Sequence, residues 1–427
     1  MNSKEKLPAA TGGRSALVPN LRFPEFREAA AWAPVSLRRA TVPVDERVGK
    51  RKLTPVSISA GIGFVPQAEK FGRDISGNQY QLYTLVRDGD FVFNKGNSLK
   101  FPQGCIYLLH GWGEVAAPNV FIAFRLRDGY SNGFFQNCFE QNQHGKQLKK
   151  HITSGARSNG LLNISKDTFF GIEIALPSFS EQQKIADCLA SADALIVAQE
   201  RKVEAIKAHK KGLMQQLFPQ EGETQPRLRF PEFEGTGEWE EKALEEIADI
   251  NPPNRGLPSS FVYIDLESVE AGELKSKTMI SREGAPSRAQ RLLEPGDIIF
   301  QSVRPYQKNN YLFILEGDED YVASTGYAQL RAHGSNAFLF QSIHVDAFVN
   351  RVIEKCTGAH YPAINSSNLA AIPLGLPPSL SEQQRIADCL TSLDDLITAE
   401  NQKLDTLKTH KKGLMQQLFP QVREDEA

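Results

Sequence analysis

Four consecutive residues, Asn251-Pro252-Pro253-Asn254, come nearest to a catalytic signature. Enzymes that methylate base amines use Asn or Asp, two prolines and an aromatic ring, which stacks on the flipped-out base. The fourth residue here is Asn, which cannot stack. No Gly-rich strand–turn–helix for a methyl donor occurs elsewhere, so the four residues read as a turn. There is no phosphate-binding loop for ATP. The eight histidines are scattered, and His209 and His410, beside Lys-Lys-Gly, read as solvated or partner-facing rather than metal-ligating. The five cysteines form no CxxC pair and read as reduced thiols. The chemistry that remains is recognition. Basic and amide side chains serve both phosphates and base edges, and they gather in two turns. Asn94, Lys95, Asn97, Ser98 and Lys100 follow the run Gly89-Asp90-Phe91-Val92-Phe93. Gln301, Ser302, Arg304, Tyr306, Lys308 and Asn309 follow Gly296-Asp297-Ile298-Ile299-Phe300. Two further clusters are Lys146, Lys149, Lys150, His151, Arg157, Ser158 and Asn159, and Arg282, Arg288 and Arg291.

Matched positions for the two turns imply a repeated scaffold, and the sequence contains one. Ser180–Gln220 aligns without a gap on Ser381–Gln421, 201 residues later, with 28 of 41 positions identical. Leu21-Arg22-Phe23-Pro24-Glu25-Phe26 with Trp32 recurs as Leu228-Arg229-Phe230-Pro231-Glu232-Phe233 with Trp239. Between these matched ends the two middles share almost nothing, so the chain reads start–variable–helix, twice.

The matched blocks carry a heptad. Ile185, Leu189, Ala192, Ile196, Gln199, Val203, Ile206, Lys210, Leu213 and Leu217 fall on one seam. Their mates are Ile386, Leu390, Leu393, Ile397, Glu400, Leu404, Leu407, Lys411, Leu414 and Leu418. A sustained 3.5-residue repeat predicts coiled-coil helices. Ser180 with Gln183, and Ser381 with Gln384, fit a capping box at each start, and Pro219 and Pro420 mark the ends. The obvious partner for each seam is the other copy, packed antiparallel, which would bring Gln199 close to Glu400; a homodimeric coiled coil is the alternative. The middles hold short aromatic or β-branched runs bounded by Gly, Asp or Pro: 81–86, 88–94, 120–126, 261–266, 295–300 and 327–330. Each reads as an α+β domain.

The net charge of −2 conceals a split. Residues 1–179 carry +9, 180–220 carry +1, 221–380 carry −9 and 381–427 carry −3. The first variable region has the balance that favours phosphate contact. The second would need a local basic patch inside an acidic body. No run of 18 apolar residues suggests a membrane span, and the N-terminus has no apolar segment of a secretory signal.

At this point the chain resembles the specificity subunit of type I restriction-modification enzymes. The resemblance rests on the opening RFPEF…W, on the Gly89–Ser98 and Gly296–Phe300 signatures, and on the LPSxSEQQxIADCL…KKGLMQQLFP helices, in family order over roughly 21–420. It implies a non-catalytic cytoplasmic subunit in which two target recognition domains each read half of a bipartite site on double-stranded DNA. The helices would set the distance between halves. Two methyltransferase subunits would dock on them and motor nuclease subunits would join, with the methyl donor and ATP on those partners and no cofactor on this chain. The expected architecture is two pseudo-symmetric α+β recognition domains separated by two long helices packed as an antiparallel coiled coil. Its expected parts are a tail (1–20), a first recognition domain (21–176), a first helix (177–220), a second recognition domain (221–376), a second helix (377–420) and an acidic tail (421–427). A coiled-coil adaptor with two protein-binding heads and no DNA contact is the competing expectation.

Overall fold

The computed structural model of the chain describes residues 17–96, 100–152, 161–254, 256–270, 272–314, 317–358 and 360–420. The expected acidic tail, most of the N-terminal tail, and Asn97, Ser98, Arg157, Ser158 and Asn159 lie outside the described residues. No helix among the described residues is long and apolar enough to cross a membrane.

Both heads are built to one plan. In the first, strands Thr41–Pro43, Ile122–Leu126, Asp90–Asn94 and Cys105–Leu108 form an antiparallel sheet in that order. A second sheet runs Gly63–Pro66, Thr54–Ser59, Glu114–Ala117 and Thr84–Arg87, with the inner pair parallel. The second head repeats both orders. Its antiparallel sheet runs Ala248–Ile250, Tyr327–Ala332, Ile298–Gln301 and Tyr311–Leu312. Its mixed sheet runs Thr278–Ser281, Ser260–Ile264, Tyr321–Ser324 and Ala289–Leu292, again with a parallel inner pair. Two middles that share almost no sequence therefore share the strand order of both four-stranded sheets, the second adding a hairpin, Val269–Glu270 with Glu273–Leu274.

Alternation along the Gly-Asp strand explains how this works. Successive side chains point to opposite faces of a sheet. Phe91 and Phe93 join the core that the sheet makes with helices, while Val92 joins Val56, Ile58, Val86 and Val115 between the two sheets. In the second head Ile298 and Phe300 face the helical core and Ile299 faces Val262, Ile264 and Ala323. A strand buried on both faces reads as a continuous apolar run, as FVF and IIF do. Each run read from sequence contains a strand; Asp90–Asn94 and Ile122–Leu126 lie within their runs, Thr84–Arg87, Ser260–Ile264, Ile298–Gln301 and Tyr327–Ala332 overrun theirs by one or two residues, and Gln81 and Leu82 belong to a 3-10 turn, Gly77–Leu82.

The long helices are Phe179–Leu217 and Leu380–Leu418. Each has 39 residues, about 58 Å at the α-helical rise. They pack against each other antiparallel. In the first compact unit, Ile185 and Leu189 share one core with Leu414 and Leu418, and Asp193 meets Lys411 Nζ at 2.7 Å. In the second, Leu213 and Leu217 share a core with Ile386 and Leu390, and Lys210 Nζ meets Asp394 at 2.6 Å. Gln199 Nε2 donates to the Glu400 carbonyl at 2.9 Å and to its carboxylate at 2.6 Å, and Lys202 Nζ joins the same carboxylate at 2.5 Å. The other seam residues, Ala192, Ile196, Val203, Ile206, Leu393, Ile397, Leu404 and Leu407, are buried or half-buried.

One expectation is corrected. The capping side chains are Ser178 and Ser379, whose hydroxyls accept from the Glu181 and Glu382 amides; Ser180 and Ser381 lie two residues too late. Gln183 and Gln384 turn forward to Asp187 and Asp388 instead of back to the cap. The described residues form two compact units that divide within the long helices, between Ala198 and Gln199 and between Lys403 and Leu404, so each head takes half of each helix. The reason is that an apolar seam is buried not only by the other helix but by the head's aromatic core, Phe134 and Phe135 in the first unit and Phe338 in the second.

Candidate nucleic-acid interface

The Gly-Asp signature proves to be the support of each turn. Gly89 and Gly296 adopt φ of 94° and 92°, a left-handed conformation that favours glycine. The aspartate that follows is fully buried in both heads. Asp90 accepts from the Arg87 amide at 2.8 Å and from Arg125 at 2.6 and 3.1 Å. Asp297 accepts from the Glu294 amide at 2.7 Å, from Gln329 at 2.7 Å and from Arg331 at 2.8 and 2.9 Å. A buried carboxylate with several donors and one guanidinium is a rigid anchor. It fixes the start of the strand whose far end carries the polar turn.

At that far end the first residue of each turn points inward. Asn94 is 7% exposed; its Nδ2 donates to Ile58 O at 2.7 Å and its Oδ1 accepts from the Gly96 amide at 2.7 Å. Gln301 is 3% exposed. Its Nε2 donates to Gln307, its Oε1 accepts from the Asn309 amide, and its own amide donates to Asn310. Both side chains, read from sequence as candidates for recognition, are buried and shape their turns from beneath. Lys95 and Asn309 are half-buried. Lys100 is exposed, its ammonium 5.8 Å from the Phe101 ring centroid. Lys149 and Lys150 are exposed in a short 3-10 turn, Lys149–His151.

The second turn is strained as well as basic. Four non-glycine residues among those described have positive φ, and Arg304 (54°) and Lys308 (56°) are two of them. Such backbone is costly for residues with a Cβ and persists where the surroundings over-determine it. Here the Arg304 amide donates to Pro362 O, and the guanidinium lies over the Tyr361 ring at 4.4 Å. Lys308 Nζ holds Asp346 at 3.0 Å and the His344 carbonyl at 3.1 Å, which keeps the Asp346 carboxyl below the usual range. Tyr306, between them, is 52% exposed and stands outward. Arg288 is exposed and Arg291 half-buried on the edge strand Ala289–Leu292 of the mixed sheet.

Sequence reasoning overlooked a second pair of anchors. Arg22 forms a bidentate pair with Glu181 at 2.7 and 2.6 Å, and Trp32 Nε1 reaches the same carboxylate at 3.4 Å. Arg229 repeats it on Glu382, both bonds at 2.8 Å. Both glutamates are 1% exposed. The opening motif of each half is thus pinned to the first turn of the helix that closes that half. The signal was present: arginine and glutamate recur at the same places in blocks that are otherwise read as end and helix.

Among the described residues no cluster of histidine, cysteine or acidic residues could hold a metal ion. The comparisons with known proteins agree with this geometry. Residues 236–409 match the family described as type I restriction modification DNA specificity domain. The type I restriction enzyme MjaVIII specificity subunit of Methanocaldococcus jannaschii is 25% identical over 287 residues, 64% of this chain and 67% of the relative. The putative MjaX specificity subunit from the same organism is 24% identical over 383 residues, 81% of each chain. The crystal structure of a type I restriction-modification S subunit from M. genitalium superposes with a TM-score of 0.56 at 13% identity, covering 95% of this chain and 100% of that one, which makes the fold the same. With its doubled head and helix and its anchored turns, the chain is similar in sequence and fold to the specificity subunits of type I restriction-modification enzymes.

Proposed function

We propose that the chain is the non-catalytic DNA-reading subunit of a type I complex, with one head for each half of a bipartite target. The observation that carries this is the pairing of one shared scaffold with two different polar turns. Topology, Gly-Asp anchors and helices repeat, whereas Asn94–Lys100 and Gln301–Asn309 differ in nearly every side chain. Equal supports with unequal tips are what reading two different half-sites requires. The relatives are named specificity subunits, which supports association with two methyltransferase subunits and with motor nuclease subunits. On this reading the methyl donor and ATP bind those partners and no cofactor binds this chain.

The test is DNA affinity of the chain with its methyltransferase subunits as salt is varied. Neutralised phosphates impose a linear fall of log affinity with log salt. A steep slope on target DNA is expected. Absence of DNA binding, with or without the partner, would establish the adaptor instead. Because the second region carries −9, its half-site should be bound well only when methyltransferase subunits close around the duplex. Tight binding by the second head without them at physiological salt would contradict that.

A further inference from the structure

The Asn251-Pro252-Pro253-Asn254 loop, set aside as a methyltransferase signature, returns here in another role. Together with Gln290 and Arg291 it lines an open pocket of about 340 Å³ in the second unit. Asn251 has a positive φ of 53°, and its side chain is tied to Ser366 at 2.8 Å and to the Gln329 amide at 3.0 Å. Asn254 Nδ2 donates to Gln290 O at 2.8 Å, and its Oδ1 accepts from the Gly256 amide at 3.0 Å. The loop is therefore held firmly against the edge strand, where the pairing slips between Ala289 and Arg291. That irregularity aims a side chain away from the regular alternation.

Gln290 is the residue left unpaired there, and Arg291 follows it on the pocket wall. The Arg291 Nε is sealed from solvent and has no hydrogen-bond partner among the described residues. Burial lowers its proton affinity, and no carboxylate offsets this. Elsewhere in the same head the buried guanidiniums are matched, Arg229 by Glu382 and Arg331 by Asp297. An unpaired, part-buried guanidinium costs stability unless an anion arrives. Arg288 is exposed three residues away, and Arg282 is exposed on the loop next to Leu257. Arg282 donates to Leu257 on the pocket rim, so a second arginine lies beside Arg291 in a region of charge −9.

We propose that this pocket is a phosphate site, with Arg291 as the anion's main partner, and that the phosphate it takes belongs to the DNA backbone. The inference rests on the DNA-reading role above. A backbone contact positions the duplex without selecting bases.

The experiment compares the wild-type chain, Arg291→Met and Arg291→Lys, each in complex with methyltransferase subunits. On target DNA, Arg291→Met should reduce the log–log salt slope by about one and weaken binding by a similar factor on every variant of the target sequence. Arg291→Lys should keep most of the slope. Thermal midpoints control for folding: Arg291→Met should melt at or above the wild type, since it removes an uncompensated charge. An unchanged slope, a loss confined to one base position, or a lowered midpoint would each overturn the proposal. Inorganic phosphate separates the sources. If it raises the wild-type midpoint but not that of Arg291→Met, while the DNA slope is unchanged, the pocket serves a free phosphate and the backbone assignment falls. A wild-type complex with no DNA affinity would overturn the function itself, which is a different outcome from a variant that behaves like wild type.

Discussion

At the scale of single residues, polar side chains in this protein divide by depth. Asn94 and Gln301 stand where a recognition residue was expected, yet both are consumed by their own turns. Replacing Gln301 by Ala removes its bonds to the half-buried Asn309 amide and to Gln307, and should cost about 1 kcal/mol; chemical denaturation would measure it. The salt slope of DNA binding should not change, since Gln301 makes no phosphate contact on this account. Two buried histidines give the protein an acid limit. Burial holds His144 and His344 neutral down to about pH 4, from an ordinary value of 6.5. The unfolded chain takes up these protons first, so stability is complete above 6.5 and declines as pH falls from 6.5 towards 4. Each shift corresponds to roughly 3 kcal/mol. Melting midpoints across that range should drop, and should drop less in His344→Gln; a flat profile would contradict the burial of neutral rings.

Elements show what was legible from sequence and what was not. The heptad seam was readable because packing against a second helix demands an apolar stripe, and the two copies confirmed each other. Strands at the Gly-Asp runs were readable because burial on both faces leaves an unbroken apolar string. Strands Thr54–Ser59 and Glu114–Ala117 were not picked out, because TPVSIS and EVAA are short and mix polar with small residues. The helix starts were misjudged by two residues because Ser178 and Ser180, like Ser379 and Ser381, are equally good caps locally; the tertiary position of the first turn decides. The Arg–Glu anchors were missed although both residues recur in the matched blocks, because the partners are 159 and 153 residues apart and nothing local pairs them. They also carry a clear prediction. Arg229→Met leaves Glu382 buried and unpaired, and should destabilise by about 3–5 kcal/mol, whereas adding Glu382→Gln should recover a substantial part. Calorimetry of the single and double variants would decide; equal melting of all three would show that the pair contributes nothing. Midway along the helices, Gln199 and Glu400 put a polar contact into an apolar seam. Such contacts trade stability for a single register. Replacing both by Leu should raise the thermal midpoint.

For the whole molecule, the division of labour follows the division of sequence. What repeats in sequence repeats in structure as anchor and helix; what varies, in the cores as well as on the surfaces, is carried by a common topology. Charge is distributed unevenly over this plan, with +9 in the first region and −9 in the region 221–380. On the proposed reading, an acidic head reads DNA through local cations, and Arg282, Arg288, Arg291 and Arg304 are the candidates. The account predicts that a head is an exchangeable reading unit. The most direct test replaces residues 35–175 by the corresponding segment of a relative with a different target, and maps methylated bases produced by the hybrid with its methyltransferase subunits. One half of the bipartite target should change to the relative's and the other half should stay as it was. A change in both halves, or in neither, would contradict the account.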